Sequence, residues 1–186
     1  MVDDAELIAA ALSGKTPAFG ELVTRYQDRL YNTMVRVVGS TDEAYDVVQD
    51  AFVQAFVKLE TFQRASQFYT WLYRIAFNLA VSRRRRQKPI ASIDRAREEA
   101  GDEPVSDGPD PSSGIEQKER AVQVQAALAS LSEEHRAVLV LREIDGFDYD
   151  AISEMLDLPV GTVRSRLHRA RSQLRDQLKT VLQDEV

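Results

Sequence analysis

Leu158-Pro159-Val160-Gly161-Thr162-Val163-Arg164-Ser165-Arg166-Leu167-His168-Arg169-Ala170-Arg171 opens a helix with arginines on its outer faces. Val163, Leu167, Ala170, Leu174, Leu178 and Val181 recur at three- and four-residue steps and form one apolar stripe that must face a core. At about 100° per residue, the opposite side carries Ser165, His168, Arg169 and Ser172, with Arg164, Arg171 and Arg175 along one edge and Arg166 along the other. Polar groups in the centre and cations at the rim suit a helix lying in the major groove of DNA, where short polar or arginine side chains reach base edges and flanking cations meet phosphates. A solvated basic face with no ligand would look similar, so the stretch before it has to decide.

That stretch supplies the other half of a helix-turn-helix. Asp148 is placed as an N-cap, Ala151, Ile152, Met155 and Leu156 give an inward face, and Asp157-Leu158 makes a short turn before Pro159, which suits a first helical turn. Upstream, Ser132 caps a helix whose first turn holds Glu133 and Glu134, and Gly146 ends it just past Ile144. With the segment from Ile115 to Ser130, this predicts a four-helix unit with the second helix of the motif as the duplex reader.

The formal net charge of −6 looks wrong for a DNA-binding chain until it is mapped. Residues 89–116 carry eight acids (Asp94, Glu98, Glu99, Asp102, Glu103, Asp107, Asp110, Glu116) and two bases (Arg95, Arg97), which accounts for the whole excess. The same stretch holds Pro104, Pro109, Pro111, Gly101, Gly108 and Gly114 and almost no large apolar residue, so it reads as a flexible tether. Residues 71–88, by contrast, carry Arg74, Arg83, Arg84, Arg85, Arg86 and Lys88 without an acid. The expected organisation is all-α: an N-terminal helical domain over residues 1–88, a linker over 89–114, and the helix-turn-helix domain over 115–186. Alternation is too weak to support strands.

The 186 residues, 44% of them hydrophobic, suffice for two small helical cores. The absence of cysteine excludes disulfides, thiolate zinc sites and cysteine nucleophiles. His135 and His168 have no ligand company at metal-binding spacing, so no metal or cofactor is expected. No apolar run spans a bilayer and Met1-Val2-Asp3-Asp4 is unlike a secretory signal, which makes a cytoplasmic chain the expectation.

The N-terminal domain carries two further signals. A short helix near Asp4 to Ser13 precedes one begun at Pro17, in which Phe19, Leu22, Val23, Tyr26, Leu30 and Met34 keep helical spacing as far as Gly39. In a third helix after Thr41, Ala44, Val48, Phe52, Ala55 and Leu59 point one way; Asp46, Asp50, Val53 and Val57 point the other, with Gln49 at the margin. Valines among carboxylates on an outward face suggest a docking surface for a basic, partly apolar protein site, the alternative being a neighbouring helix that covers them. In Phe68-Tyr69-Thr70-Trp71-Leu72-Tyr73-Arg74-Ile75-Ala76-Phe77-Asn78, the core side is expected at Phe68, Leu72, Ile75, Ala76 and Leu79, which leaves Trp71, Arg74 and Asn78 aligned. A ring, a cation and an amide in one stripe are what unpaired bases stack on and bond to.

A duplex reader and a single-strand binder in one chain resemble the extracytoplasmic-function group of bacterial sigma factors, especially the RpoE-like factors. The most specific stretches are Asp46-Val47-Val48-Gln49-Asp50-Ala51-Phe52, Phe68 to Ala76 with Asn78, and Pro159 to Arg166. The resemblance implies a factor that binds core RNA polymerase and directs it to promoters, in a stress or envelope response, without catalysis of its own. Asp46, Gln49, Asp50, Val53 and Val57 then fall where the family binds the β′ clamp helices. Phe62, Gln63, Arg64 and Ser66, with Trp71, Arg74, Ile75 and Asn78, fall where a flipped base and the opened strand of the minus-ten element are held. Arg142, Tyr149, Thr162, Arg164, Ser165, His168 and Arg169 fall at the minus-thirty-five element, while the β flap and an anti-sigma factor are further implied partners. His168 and the loop Gln63-Arg64-Ala65-Ser66-Gln67 depart from the common family pattern. A dimeric helix-turn-helix regulator would explain the C-terminus but leave Trp71, Arg74 and the Asp46/Asp50 face idle; a nuclease would need carboxylates clustered in the basic regions, where there are none.

Overall fold

The computed structural model describes residues 2–62, 66–87 and 123–184, and among these residues there is no strand. The expected linker, residues 89–114, lies outside the described residues, as do Gln63 and Arg64. Eight helices are described: α1 (Asp4–Leu12), α2 (Thr16–Val38), α3 (Thr41–Val57), α4 (Phe68–Gln87), α5 (123–129), α6 (Glu133–Leu139), α7 (Tyr149–Leu156) and α8 (Val160–Asp184). A 3₁₀ turn, Leu59–Thr61, follows α3, and α6 runs on into a π turn, Val140–Ile144.

Local chemistry sets most of the boundaries. The Ser40 hydroxyl accepts from the Glu43 N–H at 3.3 Å to start α3, Ser132 accepts from His135 N–H at 3.4 Å to start α6, and the Asp148 carboxylate accepts from Ala151 N–H at 2.8 Å to start α7. Gly39 ends α2 in the left-handed region at φ 80°, its N–H donating to the Val35 carbonyl. Asp157 plays the same part after α7 at φ 55°, a conformation that a short polar side chain tolerates better than most. Pro159 lies one residue outside α8, where its carbonyl accepts from Thr162 and Val163 N–H groups.

In the N-terminal unit α2, α3 and α4 pack together and α1 lies on α2. Leu22, Leu30, Met34, Val37, Val47, Ala51, Leu72 and Ala76 are fully buried there. In the C-terminal unit Leu141, Ile152, Met155, Val163, Leu167 and Ala170 form the core between α6, α7 and α8. The apolar stripe of α8 is buried only over its first half: Leu174 is half-buried and Leu178 is 39% exposed, because the helix outruns the domain beneath it.

The two units are not apart. Their buried residues form one continuous cluster, with α7 against α4 and α6 with its π turn against α2. This corrects the expected core face of α4. Ile75 and Leu79 are only half-buried, while Tyr69, Thr70 and Tyr73 are buried, since α7 covers the flank on which they lie.

Arg136 of α6, 6% exposed, reaches across and donates to the Val37 carbonyl at 3.1 Å, while its other amino group donates to the Ala129 and Leu131 carbonyls. Arg84 of α4 donates to the Val38 carbonyl, so two guanidinium groups satisfy the open carbonyl end of α2.

Candidate functional site

The α8 face develops as the spacing requires. Arg164, Ser165, His168 and Arg169 are all exposed, and Thr162 is half-buried at the start of the helix. The Arg164 and Arg142 guanidinium groups lie 5.8 and 5.1 Å from the Tyr149 ring, and Arg142 also donates to the Phe147 carbonyl at 2.8 Å. Thus α7 and α8 share one edge of cations around an aromatic ring. Other arginines of α8 are engaged inside the unit: Arg166 pairs with Glu134 at 2.9 Å and Arg171 with Glu143 at 2.6 Å. His135 bonds Gln173 at 2.9 Å, and the described residues contain no cluster of metal-ligating groups.

Around α4, the structure gathers an aromatic corner. Trp71 is half-buried, with its ring 5.2 Å from Phe62 and 5.9 Å from Phe68. Phe62 is placed by the 3₁₀ turn and Phe68 by the first turn of α4. Ile75 is half-buried and Asn78 exposed. Arg74 is turned toward α7 and pairs with Asp157 at 2.9 Å, which separates it from the stripe it was expected to form with Trp71 and Asn78.

Sequence reasoning missed the neighbours that α1 and α2 bring here. Ser66, Gln67, Phe62 and Phe68 line a cavity of about 260 Å³ with Tyr26 and Asp4, and Asp4 accepts from both Arg25 and the Tyr26 hydroxyl. Burial and the Asp4 carboxylate together push the Tyr26 phenol up to about 12. Arg29 of α2 was missed as well; it lies 4.3 Å from the Tyr69 ring and beside Arg74 in a larger cleft. Arg29 shares α2 with Arg25 and Arg36, and nothing in that pattern marked it out.

On α3, Asp46, Gln49, Asp50, Val53 and Val57 are all exposed, and no described helix covers the valines, which are 64% and 74% exposed. The carboxylates are not bare, however. Arg83 of α4 pairs with Asp46 at 3.3 Å and with Asp50 at 2.5 Å. Along one flank of this face, Val23 and Tyr31 of α2 and Tyr45, Gln49, Phe52 and Val53 of α3 line a mainly apolar groove of about 610 Å³. A second apolar groove, of about 440 Å³, runs along α8 between Leu139, Leu174 and Leu178, with Arg171, Arg175 and Lys179 at its rim.

This fold, a bundle of α1 to α4 packed against a helix-turn-helix unit, is shared with known proteins. Residues 22–90 match the family "Sigma-70 region 2" and residues 121–174 match "Sigma-70, region 4". The chain is 38% identical to the "ECF RNA polymerase sigma factor SigW" of Bacillus subtilis (strain 168), over 89% of this chain and 91% of that protein. It is 36% identical to the "ECF RNA polymerase sigma-E factor" of Escherichia coli (strain K12), over 96% of each chain. Among solved structures, it superposes on CnrH in complex with the cytosolic domain of CnrY with a TM-score of 0.66 at 30% identity, over 94% of this chain and 96% of the other. It also superposes on the sigma factor RpoE of Bartonella quintana in complex with the anti-sigma factor NepR, with a TM-score of 0.68 at 26% identity, over 87% and 96%. The chain belongs to the extracytoplasmic-function group of the sigma-70 family. No described helix is long and apolar enough to cross a membrane.

Proposed function

We propose that this sigma factor docks on core RNA polymerase through the α3 face, reads the minus-thirty-five element with α8, and holds the opened minus-ten strand against α4 and the segment before it. The observation that carries the reading is the α8 face: Arg164, Ser165, His168 and Arg169 are exposed together on the second helix of a helix-turn-helix. Arg169 has no ion pair among the described residues, so its guanidinium is available to a base edge or a phosphate.

Opening duplex DNA loses about 1.4 kcal/mol of stacking per base step, whereas stacking a freed base on an aromatic ring returns roughly 1 to 3 kcal/mol. One aromatic corner at Phe62, Trp71 and Phe68 therefore offsets one or two steps, and polymerase must supply the rest. The chain contributes position and capture; the bond-making chemistry belongs to its partner. The α3 groove, apolar with carboxylates beside it, suits the β′ clamp helices, and the basic-rimmed groove along α8 suits the β flap. The likeness to solved complexes of CnrH with CnrY and of RpoE with NepR supports an anti-sigma factor as a further partner.

Run-off transcription with core polymerase over a promoter library tests this reading. The wild-type chain is expected to yield transcripts from a set of promoters sharing two motifs. Arg169→Ala should lower transcription from those promoters by about fivefold to a hundredfold while leaving core affinity unchanged, since one bidentate base contact is worth about 1–3 kcal/mol. Loss of core affinity instead, or promoter-independent transcription, would overturn the assignment of α8.

A further inference from the structure

The surface between the two units has a composition that packing alone does not require. Phe147, just before α7, stacks on Tyr69 of α4 with ring centroids 5.8 Å apart and planes 10° from parallel. Arg29 lies 4.3 Å from the Tyr69 ring and 5.0 Å from the Phe147 ring. The Thr33 hydroxyl donates to the Asp145 carboxylate at 2.8 Å, and Arg74 pairs with Asp157. The cleft of about 1020 Å³ between these contacts has Arg29 and Arg74 on one wall and Asp145, Asp148, Glu154 and Asp157 on the other.

An unpaired nucleotide offers a protein a flat ring to stack and a negative charge to pair. The segment from Asp145 to Asp157 offers the N-terminal unit the same two things: Phe147 as the ring, and a row of carboxylates as the charge. We infer that in the free chain the C-terminal unit is latched over one flank of the strand-capture surface, its Asp145–Asp157 segment standing in for nucleic acid on Tyr69, Arg29 and Arg74. The inference rests on the strand-capture reading of α4.

Two consequences make the latch inhibitory. Arg74 cannot serve a phosphate while it serves Asp157, and a phosphate entering the cleft meets the acidic wall of α7 at close range. The latch is also anchored away from the cleft, where the buried Arg136 guanidinium donates to the Val37 carbonyl at the end of α2. The ion pair itself is a weak part of the hold, because Arg74 and Asp157 are both well exposed. Phe147 and Arg136 carry more of it, which allows release by a partner that separates the units without breaking either fold.

The chain has no cysteine, so a single engineered pair reports closure without background. In the full-length Thr33→Cys/Asp145→Cys variant, the two thiols replace side chains that touch, and mild oxidation should close an intramolecular disulfide. Fluorescence anisotropy then compares oxidised and reduced forms on single-stranded DNA bearing the minus-ten motif and on duplex bearing the minus-thirty-five motif, both taken from the run-off selection. The oxidised form is expected to bind the strand at least tenfold more weakly than the reduced form, with duplex affinity equal in the two. Phe147→Ala, in a chain otherwise unchanged, is expected to bind the strand at least threefold more tightly than wild type.

No intramolecular disulfide, equal strand binding by both redox forms, or no gain from Phe147→Ala would overturn the latch. Equal and sequence-specific strand binding by both forms would sink the latch alone. If neither form binds the strand while duplex and core binding persist, the strand-capture reading of α4 falls, and the latch with it.

Discussion

Tyr73 is the residue at which burial and chemistry disagree most. Its ring is fully buried and stacks on Phe77 at 6.2 Å, yet its hydroxyl has no hydrogen-bond partner among the described residues. Burial, together with nearby Tyr69, Asp145 and Glu133, pushes the phenol well above its ordinary range, so the group is a neutral donor with no acceptor. Leaving a buried polar group unpaired costs about 1–3 kcal/mol. Tyr73→Phe keeps the ring and removes the orphan, and is expected to raise stability by about 1 kcal/mol in urea denaturation. A loss of stability would mean that the hydroxyl has an acceptor in solution. Arg136 is better served: its two amino groups are received by the Val37, Ala129 and Leu131 carbonyls, although its Nε–H has no partner among the described residues. Sequence pattern treats arginine as surface, and nothing near residue 136 announces that the end of α2, about a hundred residues earlier, needs a donor.

At the scale of elements, the chain was most legible where a local device sets a boundary. Ser132 and Asp148 cap the helices they were expected to cap, Ser40 does the same for α3 without having been singled out, and Gly39 and Gly146 take positive φ where a helix ends. Faces were less legible than ends. On α4, the sets Phe68, Leu72, Ile75, Leu79 and Tyr69, Leu72, Tyr73, Ala76, Ala80 are both helical stripes, and only the position of α7 decides between them. On α3 the pattern alone left two possibilities for Val53 and Val57, and their exposure removes the one in which a neighbouring described helix covers them. A residue that exposed contributes little to folding, so Val53→Asp is expected to change stability by less than about 0.5 kcal/mol. The same charge placed beside an apolar groove should weaken core polymerase binding at least tenfold, measured by competition against a second sigma factor. Unchanged competition would move the docking site off α3.

At the scale of the molecule, the packing of the two units was invisible in the sequence, because its contacts join residues as far apart as Thr33 and Asp145 and use polar side chains that pattern assigns to solvent. That packing has a pH signature. Burial raises the Asp145 carboxyl above the ordinary carboxylate range, outweighing the Thr33 hydroxyl and the guanidinium groups of Arg36 and Arg29 on α2, while Tyr69 and Tyr73 approach it from α4. The folded chain therefore holds this proton more tightly than the unfolded chain does. The resulting stability is fully present below the ordinary carboxylate value and is lost as pH rises through the raised one. Asp145→Asn keeps an oxygen to accept from Thr33 and removes the titration. Relative to wild type, the variant should gain stability as pH is raised from about 3 to about 7, with the difference levelling off once Asp145 is ionised in both states. Urea midpoints of the two proteins across that range read the difference directly. Parallel curves would mean that Asp145 is solvated in both states, and the closed arrangement of the two units would then have lost its buried carboxyl.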